Sequence, residues 1–244
     1  MASNPPGECC TRGFKHEGTP AGEMFKIGQY DAYIARPSTP KPKRAILFVS
    51  DVMGVYENSK LLADDFASRG YLTLVPDLFH GEPLTLNAFA SGTVDLPGFL
   101  AKHNIASVEP VLDAALKYLR ETEKVEKIAG VGYCFGAKYV VRYMKGRRVD
   151  VGYIAHPSFV SEDELRAIEG PLTIAAAETD TIFPADLRHK SEEILKETKQ
   201  PYQVTLYSHV EHGFAVRADL SVPAIKFAKE QAFLQAIAWF EYFL

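Results

Sequence analysis

The chain alternates short runs of apolar, β-branched residues with longer segments in which apolar residues recur every three or four positions. Short apolar runs predict buried strands, and the longer period predicts amphipathic helices. The predicted strands are residues 24–27, 31–35, 45–49, 72–75, 127–132, 151–155, 172–177 and 203–207. The predicted helices are residues 58–69, 108–119, 137–144, 185–198 and 223–243. This alternation predicts a single α/β domain with a mostly parallel central sheet and helices on both faces.

Two segments do not follow this alternation of strands and helices. Residues 1–22 are polar, small and rich in Gly and Pro, and they predict an irregular N-terminal segment. Residues 81–103 show no clear period and predict an irregular excursion with short helices. Long irregular segments in compact domains are often functional, so this stretch is a candidate lid or pocket wall, with a surface insertion as the alternative.

Composition places the chain among ordinary globular proteins and excludes several partners. The chain has 244 residues, 47% of them apolar and 24% charged, which suits one domain. A net charge of −4 does not indicate a basic surface for binding nucleic acid. No apolar run approaches the roughly 18 residues of a membrane span, and residues 1–13 lack the pattern of a secretory signal. We expect a cytosolic (cytoplasmic) protein without a nucleic-acid or membrane partner, and the pattern does not decide between monomer and homodimer.

The three cysteines are Cys9, Cys10 and Cys134, an odd and low number that argues against a disulfide framework. Cys9, Cys10 and His16 together raise the alternative of a zinc site. No second pair of ligands stands at zinc spacing, which favours a plain pair of thiols. The chain also lacks the glycine-rich phosphate loop G-x-G-x-x-G and shows no cluster of metal ligands, so we expect neither a cofactor nor a metal.

Cys134 lies in Gly132-Tyr-Cys-Phe-Gly136, directly after a predicted strand and directly before a predicted helix. This is the setting of a nucleophile elbow, in which small neighbours permit a sharp, strained turn. A thiol at a helix start gains the dipole and free amides, which favour the thiolate. The amide of Phe135 would then point toward an oxyanion. A buried cysteine in a glycine-rich turn is the alternative interpretation.

A thiol nucleophile needs a base, and the base needs an acid to orient it. Asp180 follows the strand predicted at 172–177, and His212 follows the strand predicted at 203–207. Both would lie at the carboxyl edge of the sheet, in the hydrolase order of nucleophile, acid and histidine. Glu178 and His209 are alternatives. We favour Asp180 for its shorter side chain on the loop, and His212 for its position before Gly-Phe.

With Gly132-Tyr-Cys-Phe-Gly136, Asp180 and His212-Gly-Phe214 in place, the chain resembles the dienelactone hydrolase family of the α/β-hydrolase superfamily, and its fungal branch in particular. Further similarities lie at residues 6–11, 16–18, 50–54 and 76–79. The resemblance implies an α/β-hydrolase fold and a carboxylic ester hydrolase of the carboxymethylenebutenolidase type. It implies that Cys134 forms an acyl-enzyme, that His212 is base and then acid, and that Asp180 orients His212.

The resemblance also implies roles around the nucleophile. Backbone amides of Phe135 and Val52 correspond to the oxyanion hole. Asp51 stands where the family has a glutamate that helps to generate the thiolate, so it is a gating candidate with a shorter side chain. Of two family arginines that hold a substrate carboxylate, one is replaced at His80-Gly81 and the other corresponds to Arg217, one residue later. The substrate-binding candidates are Tyr56, His80, Tyr133, His156, Phe183 and Arg217.

These observations predict a hydrolase that cleaves a small ester or lactone through Cys134, His212 and Asp180. The altered arginines indicate an acyl substrate different from that of the bacterial enzymes. One alternative uses the same fold for a lyase, cyclase or acyl-transfer step. Another is a non-catalytic protein that binds a small molecule, for which a broken triad would be expected.

Overall fold

The computed structural model describes residues 1–88, 92 and 94–244, and it contains one eight-stranded sheet. The strands are β1 (Glu23–Ile27), β2 (Tyr30–Ala35), β3 (Arg44–Val49), β4 (Leu72–Pro76), β5 (Lys127–Tyr133), β6 (Val151–Ala155), β7 (Leu172–Thr179) and β8 (Tyr202–Glu211). The helices are α1 (Glu57–Ser68), α2 (Leu96–Lys102), α3 (Ile105–Lys117), α4 (Gly136–Met144), α5 (Glu162–Arg166), α6 (Ala185–Thr198), α7 (Phe214–Arg217) and α8 (Pro223–Phe243). A 3-10 helix spans Glu8–Thr11, and a π-helical turn follows α3 at Tyr118–Thr122.

The spatial order of the strands is β1-β2-β4-β3-β5-β6-β7-β8. The β1–β2 and β2–β4 pairs are antiparallel, and every pair from β4–β3 to β7–β8 is parallel. The α/β-hydrolase fold predicted from the sequence is therefore correct. Parallel strands need crossover connections, and the helices that supply them cover both faces, which explains why the central strands are apolar without alternation.

Each face of the sheet has its own hydrophobic core, and β3 shows the division. Its residues Ala45, Leu47 and Val49 pack into one core with α3, α4 and α6. Its residues Ile46 and Phe48 pack into the other core with α1 and α8. Burial on both faces fixes the register of β3, since a slip by one residue would exchange the two sets. No helix among the described residues is long and apolar enough to cross a membrane.

The predicted strands and helices are all present, with ends that differ by a few residues. The 3-10 helix at Glu8–Thr11, α5 and α7 are among the short elements that were not predicted. Each spans four or five residues, too few for a helical period to show in the sequence. The excursion at 81–103 contains α2, and positions 89–91 and 93 of this candidate lid lie outside the described residues.

The turn between β5 and α4 is packed against β3 without spare room. A Cβ atom added at Gly136 would overlap the Val49 carbonyl oxygen and lie 2.5 Å from the Val49 carbonyl carbon. A Cβ atom at Gly132 would lie 2.8 Å from the Cα atom of Ala137. Both glycines are needed for close approach of backbone to backbone, because no flexible side chain there can move aside.

We expect Gly136→Ala to destabilise the protein by about 3 kcal/mol or more, because its methyl group would push β3 and α4 apart. Gly28→Ala is the matched control, since Gly28 has a φ of +61° and no neighbour within 4 Å of the added Cβ. This control should lower the free energy of unfolding by only about 1–2 kcal/mol, because alanine is strained in the left-handed backbone conformation. Chemical denaturation of both variants measures the difference, and equal losses would contradict the steric argument.

Candidate active site

Cys134 lies between β5 and α4 with a φ of +50°, a conformation that L side chains rarely adopt. Its amide donates to the Ala155 carbonyl at 3.2 Å, and its carbonyl accepts from the amides of Ser158 and Ala137, each at 3.1 Å. The side chain is fully buried. The strained backbone is therefore held by hydrogen bonds on both sides and presents Sγ at the start of α4.

Asp180 and His212 meet next to this turn, each just past the end of its strand. Nδ1 of His212 lies 2.9 and 3.1 Å from the two carboxylate oxygens of Asp180. Oδ1 of Asp180 also accepts from the amides of Ile182 and Phe183, at 2.8 and 3.0 Å. Because a carboxylate only accepts, Nδ1 carries a proton in either charge state of the ring, and Nε2 is the basic nitrogen of the neutral ring.

The two alternative residues lie elsewhere and contact each other. The carboxylate of Glu178 accepts from the backbone amide of His209 at 2.7 Å. Both residues are exposed, whereas Asp180 and His212 are buried. The structure thus brings Asp180 and His212 together and leaves Glu178 and His209 at the surface.

The charges of the buried pair favour a thiolate at Cys134. Burial by itself would raise the pKa of Cys134, but a hydrogen bond with Cys10 and the positive charge of His212 hold it well below the ordinary thiol value. Burial by itself would lower the pKa of His212, but the charges of Cys134 and Asp180 raise it to about 10. Both shifts favour a thiolate at Cys134 beside an imidazolium at His212.

Cys10 is a member of this cluster that the sequence analysis missed. Its Sγ lies 3.3 Å from Sγ of Cys134 and 3.5 Å from Nε2 of His212. The pair Cys9–Cys10 stood out in the sequence, but no spacing connects position 10 with positions 134 and 212. Their proximity results from the path of the N-terminal segment across the carboxyl edge of the sheet.

The cluster also bears on metal binding. The Sγ atoms of Cys10 and Cys134 and a ring nitrogen of His212 all lie within 4.8 Å of one another, and such donors suit zinc. Cys9, Cys10 and His16, the set weighed in the sequence analysis, are not among the described groups whose ligand atoms converge, and Nε2 of His16 instead lies 3.0 Å from the Ala218 carbonyl oxygen. Any metal would therefore compete for the groups of the nucleophile itself.

The two amides predicted for an oxyanion hole are available. Within residues 1–88, 92 and 94–244, the N–H groups of Phe135 and Val52 donate to no protein acceptor. The Val52 carbonyl accepts from the amide of Leu84 at 2.9 Å, which ties this loop to the start of the 81–103 excursion. Two free amides at the carboxyl edge of the sheet can stabilise a developing negative charge.

Asp51 and Arg217 form a buried ion pair, and the Tyr56 hydroxyl donates to Asp51 at 3.4 Å. Arg217 also donates to the carbonyls of Arg12, at 2.9 Å, and Cys9, at 3.4 Å. Burial would lower the pKa of Arg217, but Asp51 and Tyr56 raise it above its ordinary value, so the guanidinium stays charged. Its donors are directed at protein acceptors here, and a substrate contact of Arg217 or gating by Asp51 stays a prediction.

The other predicted pocket residues divide into a buried group and one surface residue. His156 is buried with a φ of +37°, and its ring centroid lies 5.0 Å from that of His212. Tyr133 and Phe183 are also buried, on opposite faces of the sheet. His80 is exposed and contacts Tyr30, in a surface depression that contains none of Cys134, Asp180 and His212.

Both ring nitrogens of His156 lack a hydrogen-bond partner among the described residues. Burial, followed by the charges of His212 and Arg217, lowers the pKa of His156 well below its ordinary value, so the ring is neutral. The neutral ring of His156 packs edge-on against His212. It restricts the movement of the His212 ring and does not compete for its proton.

The fold and this cluster define a class: an α/β-hydrolase with cysteine, histidine and aspartate at the carboxyl edge of its sheet. The sequence profile of the dienelactone hydrolase family matches residues 30–244. The chain belongs to that family.

Relatives support the assignment along the whole chain. "Hydrolase pyvD" of Aspergillus violaceofuscus is 46% identical over 245 residues, covering 100% of this chain and 99% of the relative. "Dienlactone hydrolase 1" of Gibberella moniliformis is 35% identical, covering 100% and 96%. A solved structure of a putative dienelactone hydrolase from Klebsiella pneumoniae superposes with a TM-score of 0.76 at 18% identity, covering 92% of this chain and 99% of that one. The structural likeness shows the shared fold.

We expect the thiolate of Cys134 to form well below the ordinary thiol pKa and to persist at every higher pH, because the hydrogen bond with Cys10 and the charge of His212 lower the pKa of Cys134 against the effect of burial. Its imidazolium partner should be lost only as the pH rises through the raised pKa of His212, about 10. His212→Ala removes one of the positive charges that lower the pKa of Cys134, so its thiolate should appear at a higher pH than in the wild type. The ultraviolet thiolate absorbance of each protein, minus that of Cys134→Ala at the same pH, measures the Cys134 thiolate.

That titration is best made in a Cys9→Ser background. The hydrogen bond with Cys10 lowers the pKa of Cys9 to about 6 against the effect of burial, so Cys9 would add its own thiolate signal. A wild-type thiolate that appears only near the free-cysteine pKa of about 8.5 would contradict the assignment.

Proposed function

We propose that the protein hydrolyses a small ester or lactone through a covalent acyl-enzyme on Cys134. The observation that carries this proposal is the buried alignment of Asp180 with Nδ1 of His212, at 2.9 Å, beside a cysteine on a strained strand-to-helix turn. Membership of the dienelactone hydrolase family supports the same class of chemistry. Relatives named carboxymethylenebutenolidase homolog, such as that of Mus musculus at 30% identity, support a carboxylic ester as the substrate.

In the first half-reaction the Cys134 thiolate attacks the carbonyl carbon, and a C–S bond forms. The carbonyl oxygen becomes an oxyanion that accepts hydrogen bonds from the amides of Phe135 and Val52. The C–O bond to the leaving group then breaks, and the imidazolium of His212 gives its proton to the leaving oxygen. For a lactone the leaving oxygen stays attached to the acyl chain.

In the second half-reaction His212 acts as a base. It takes a proton from water while the water oxygen attacks the thioester carbon, and the C–S bond breaks to release the acid and the thiolate. Asp180 keeps the ring in the required orientation and stabilises its positive charge in both halves. No cofactor is needed for these steps.

The test is turnover of an activated aryl ester by Cys134→Ala, which we expect to be abolished while the fold survives. Cys134→Ser should retain little activity, because a serine needs stronger activation by base than a thiol does. Intact-mass spectrometry after mixing with the ester should show an acyl group on the wild type and none on Cys134→Ala.

Cys9→Ser is the matched control, since it removes a thiol near the site but leaves the triad unchanged. Full activity in Cys134→Ala would overturn the proposal. Acylation of the wild type with no hydrolytic release would favour acyl transfer to another acceptor instead.

A further inference from the structure

Three donor atoms that bind metals well converge at the proposed nucleophile. Sγ of Cys10 lies 3.3 Å from Sγ of Cys134 and 3.5 Å from Nε2 of His212. The remaining pair, Sγ of Cys134 and a ring nitrogen of His212, lies within 4.8 Å. Among the described residues, this is the one group of His, Cys, Asp or Glu side chains whose ligand atoms come together in this way. Its geometry can therefore be compared with that of a metal site.

The spacing of these atoms is close to that of ligands around one zinc ion. Zinc binds thiolate sulfur at about 2.3 Å and imidazole nitrogen at about 2.0–2.1 Å, in a tetrahedral arrangement. These bond lengths place a sulfur and a nitrogen ligand about 3.5 Å apart, and two sulfur ligands about 3.8 Å apart. The first value is the observed separation of Cys10 and His212. The sulfurs of Cys10 and Cys134 would need to move apart by about 0.5 Å, and the fourth position would be left to water.

The groups around the cluster orient its ligands as a zinc site requires. Nδ1 of His212 donates to Asp180 at 2.9 Å, and a carboxylate on the other ring nitrogen is the usual partner of a zinc-bound histidine. The amide of Gly7 donates to Sγ of Cys10 at 3.4 Å, and the hydroxyl of Ser158 lies 3.6 Å from the sulfur of the third ligand. Each ligand thus has a hydrogen-bond partner outside the set of donors.

We propose that Cys10, Cys134 and His212 form a site for a zinc ion, and that the bound ion inhibits the hydrolase. Two Zn–S bonds and one Zn–N bond form, and the Cys10 thiol and the His212 imidazolium each release a proton to water. A thiol, a thiolate and an imidazolium together carry no net charge, and neither do two thiolates, a neutral imidazole and Zn²⁺. The net charge of the buried cluster is therefore unchanged, and the neighbouring charges of Asp180 and Arg217 need no new partner.

A bound ion would occupy both catalytic groups at once. The electron pair with which Cys134 attacks a carbonyl carbon would be donated to zinc, and Nε2 of His212 would no longer take or give a proton. The inhibition therefore rests on the proposed function, whereas the metal site itself does not. The catalytic cycle proposed above needs no ion, so the protein would be active without zinc and inactive with it.

The N-terminal segment supplies the third ligand. Cys10 lies in the 3-10 helix at Glu8–Thr11, outside the family profile, which begins at residue 30. Arg217 donates to the carbonyls of Cys9 and Arg12, on either side of Cys10, at 3.4 and 2.9 Å. Cys10 is therefore fixed beside the other two ligands. Its neighbour Cys9 is partly exposed, so the cluster lies close to the surface at this end although its own side chains are buried.

Zinc binding is measured on the full chain, stripped of metal with a chelator and kept reduced with a phosphine, by competition with a chromophoric zinc indicator. We expect the wild type to bind one equivalent. Cys10→Ser should weaken the binding at least about 100-fold, because loss of a mere outer-shell partner already costs about 10–100-fold. Cys9→Ser is the matched control and should bind like the wild type, since Cys9 is not in the cluster. Thermal unfolding without metal checks the fold, and Cys10→Ala replaces Cys10→Ser if the latter does not fold.

Cobalt(II) in place of zinc reports on the ligands directly. The wild type should show the charge-transfer absorption of cobalt–thiolate bonds, which should weaken in Cys10→Ser and stay unchanged in Cys9→Ser. Less than one equivalent of zinc on the wild type, or wild-type affinity in Cys10→Ser, would overturn the site. Loss of the ion in Cys9→Ser with retention in Cys10→Ser would overturn it too, because a different thiol would then hold the metal.

The inhibition is tested with p-nitrophenyl acetate. One equivalent of zinc should abolish turnover by the wild type, and EDTA should restore it. Half-inhibition of Cys10→Ser, relative to its own activity without zinc, should need at least about 100-fold more zinc. Full turnover with one equivalent bound would overturn the inhibition. The proposed function fails separately, through activity of Cys134→Ala without metal, and the zinc titration and cobalt spectra would still decide the metal site.

Discussion

The tight turn at Cys134 is the constraint on which the rest of the site depends. It joins the central strand β5 to α4 where Gly136 touches the backbone of β3, so neither strand nor helix can move without the other. The strained φ of Cys134 is maintained because its amide bonds to the last residue of β6, and its carbonyl bonds to the loop after β6 and to α4. Asp180 and His212 then need only lie at the ends of β7 and β8, which the parallel register places at the same edge.

Much of this could be predicted from the sequence because it follows from local rules. Uninterrupted apolar runs defined the strands, and Gly-x-Cys-x-Gly after a strand defined the turn. Asp180 and His212 were candidates because each follows a strand of a parallel sheet in the hydrolase order. Each of these inferences depends on a short stretch of chain plus one topological rule, so a single sequence suffices for them.

The contacts of the N-terminal segment could not be predicted in the same way. Cys10 reaches Cys134 and His212 from 124 and 202 positions away, through a segment without apolar period. His80 shows the converse: a family-based correspondence made it a pocket candidate, yet its ring lies at the surface against Tyr30. Position in a motif fixes where the backbone lies, whereas the direction of a long side chain depends on neighbours that are distant in the sequence.

Arg217 connects the two parts of the site that were inferred separately. A buried thiolate is costly unless positive charge lies nearby, and Arg217 is one of the charges that lower the pKa of Cys134. The same guanidinium is paired with Asp51 and bonded to the backbone on both sides of Cys10. Removing it would leave Asp51 uncompensated and would also release the segment that brings Cys10 to the sulfur. The electrostatics of the nucleophile and the position of the N-terminal segment are thus set by one side chain, so the segment is structurally part of the site rather than an appendage to the family domain.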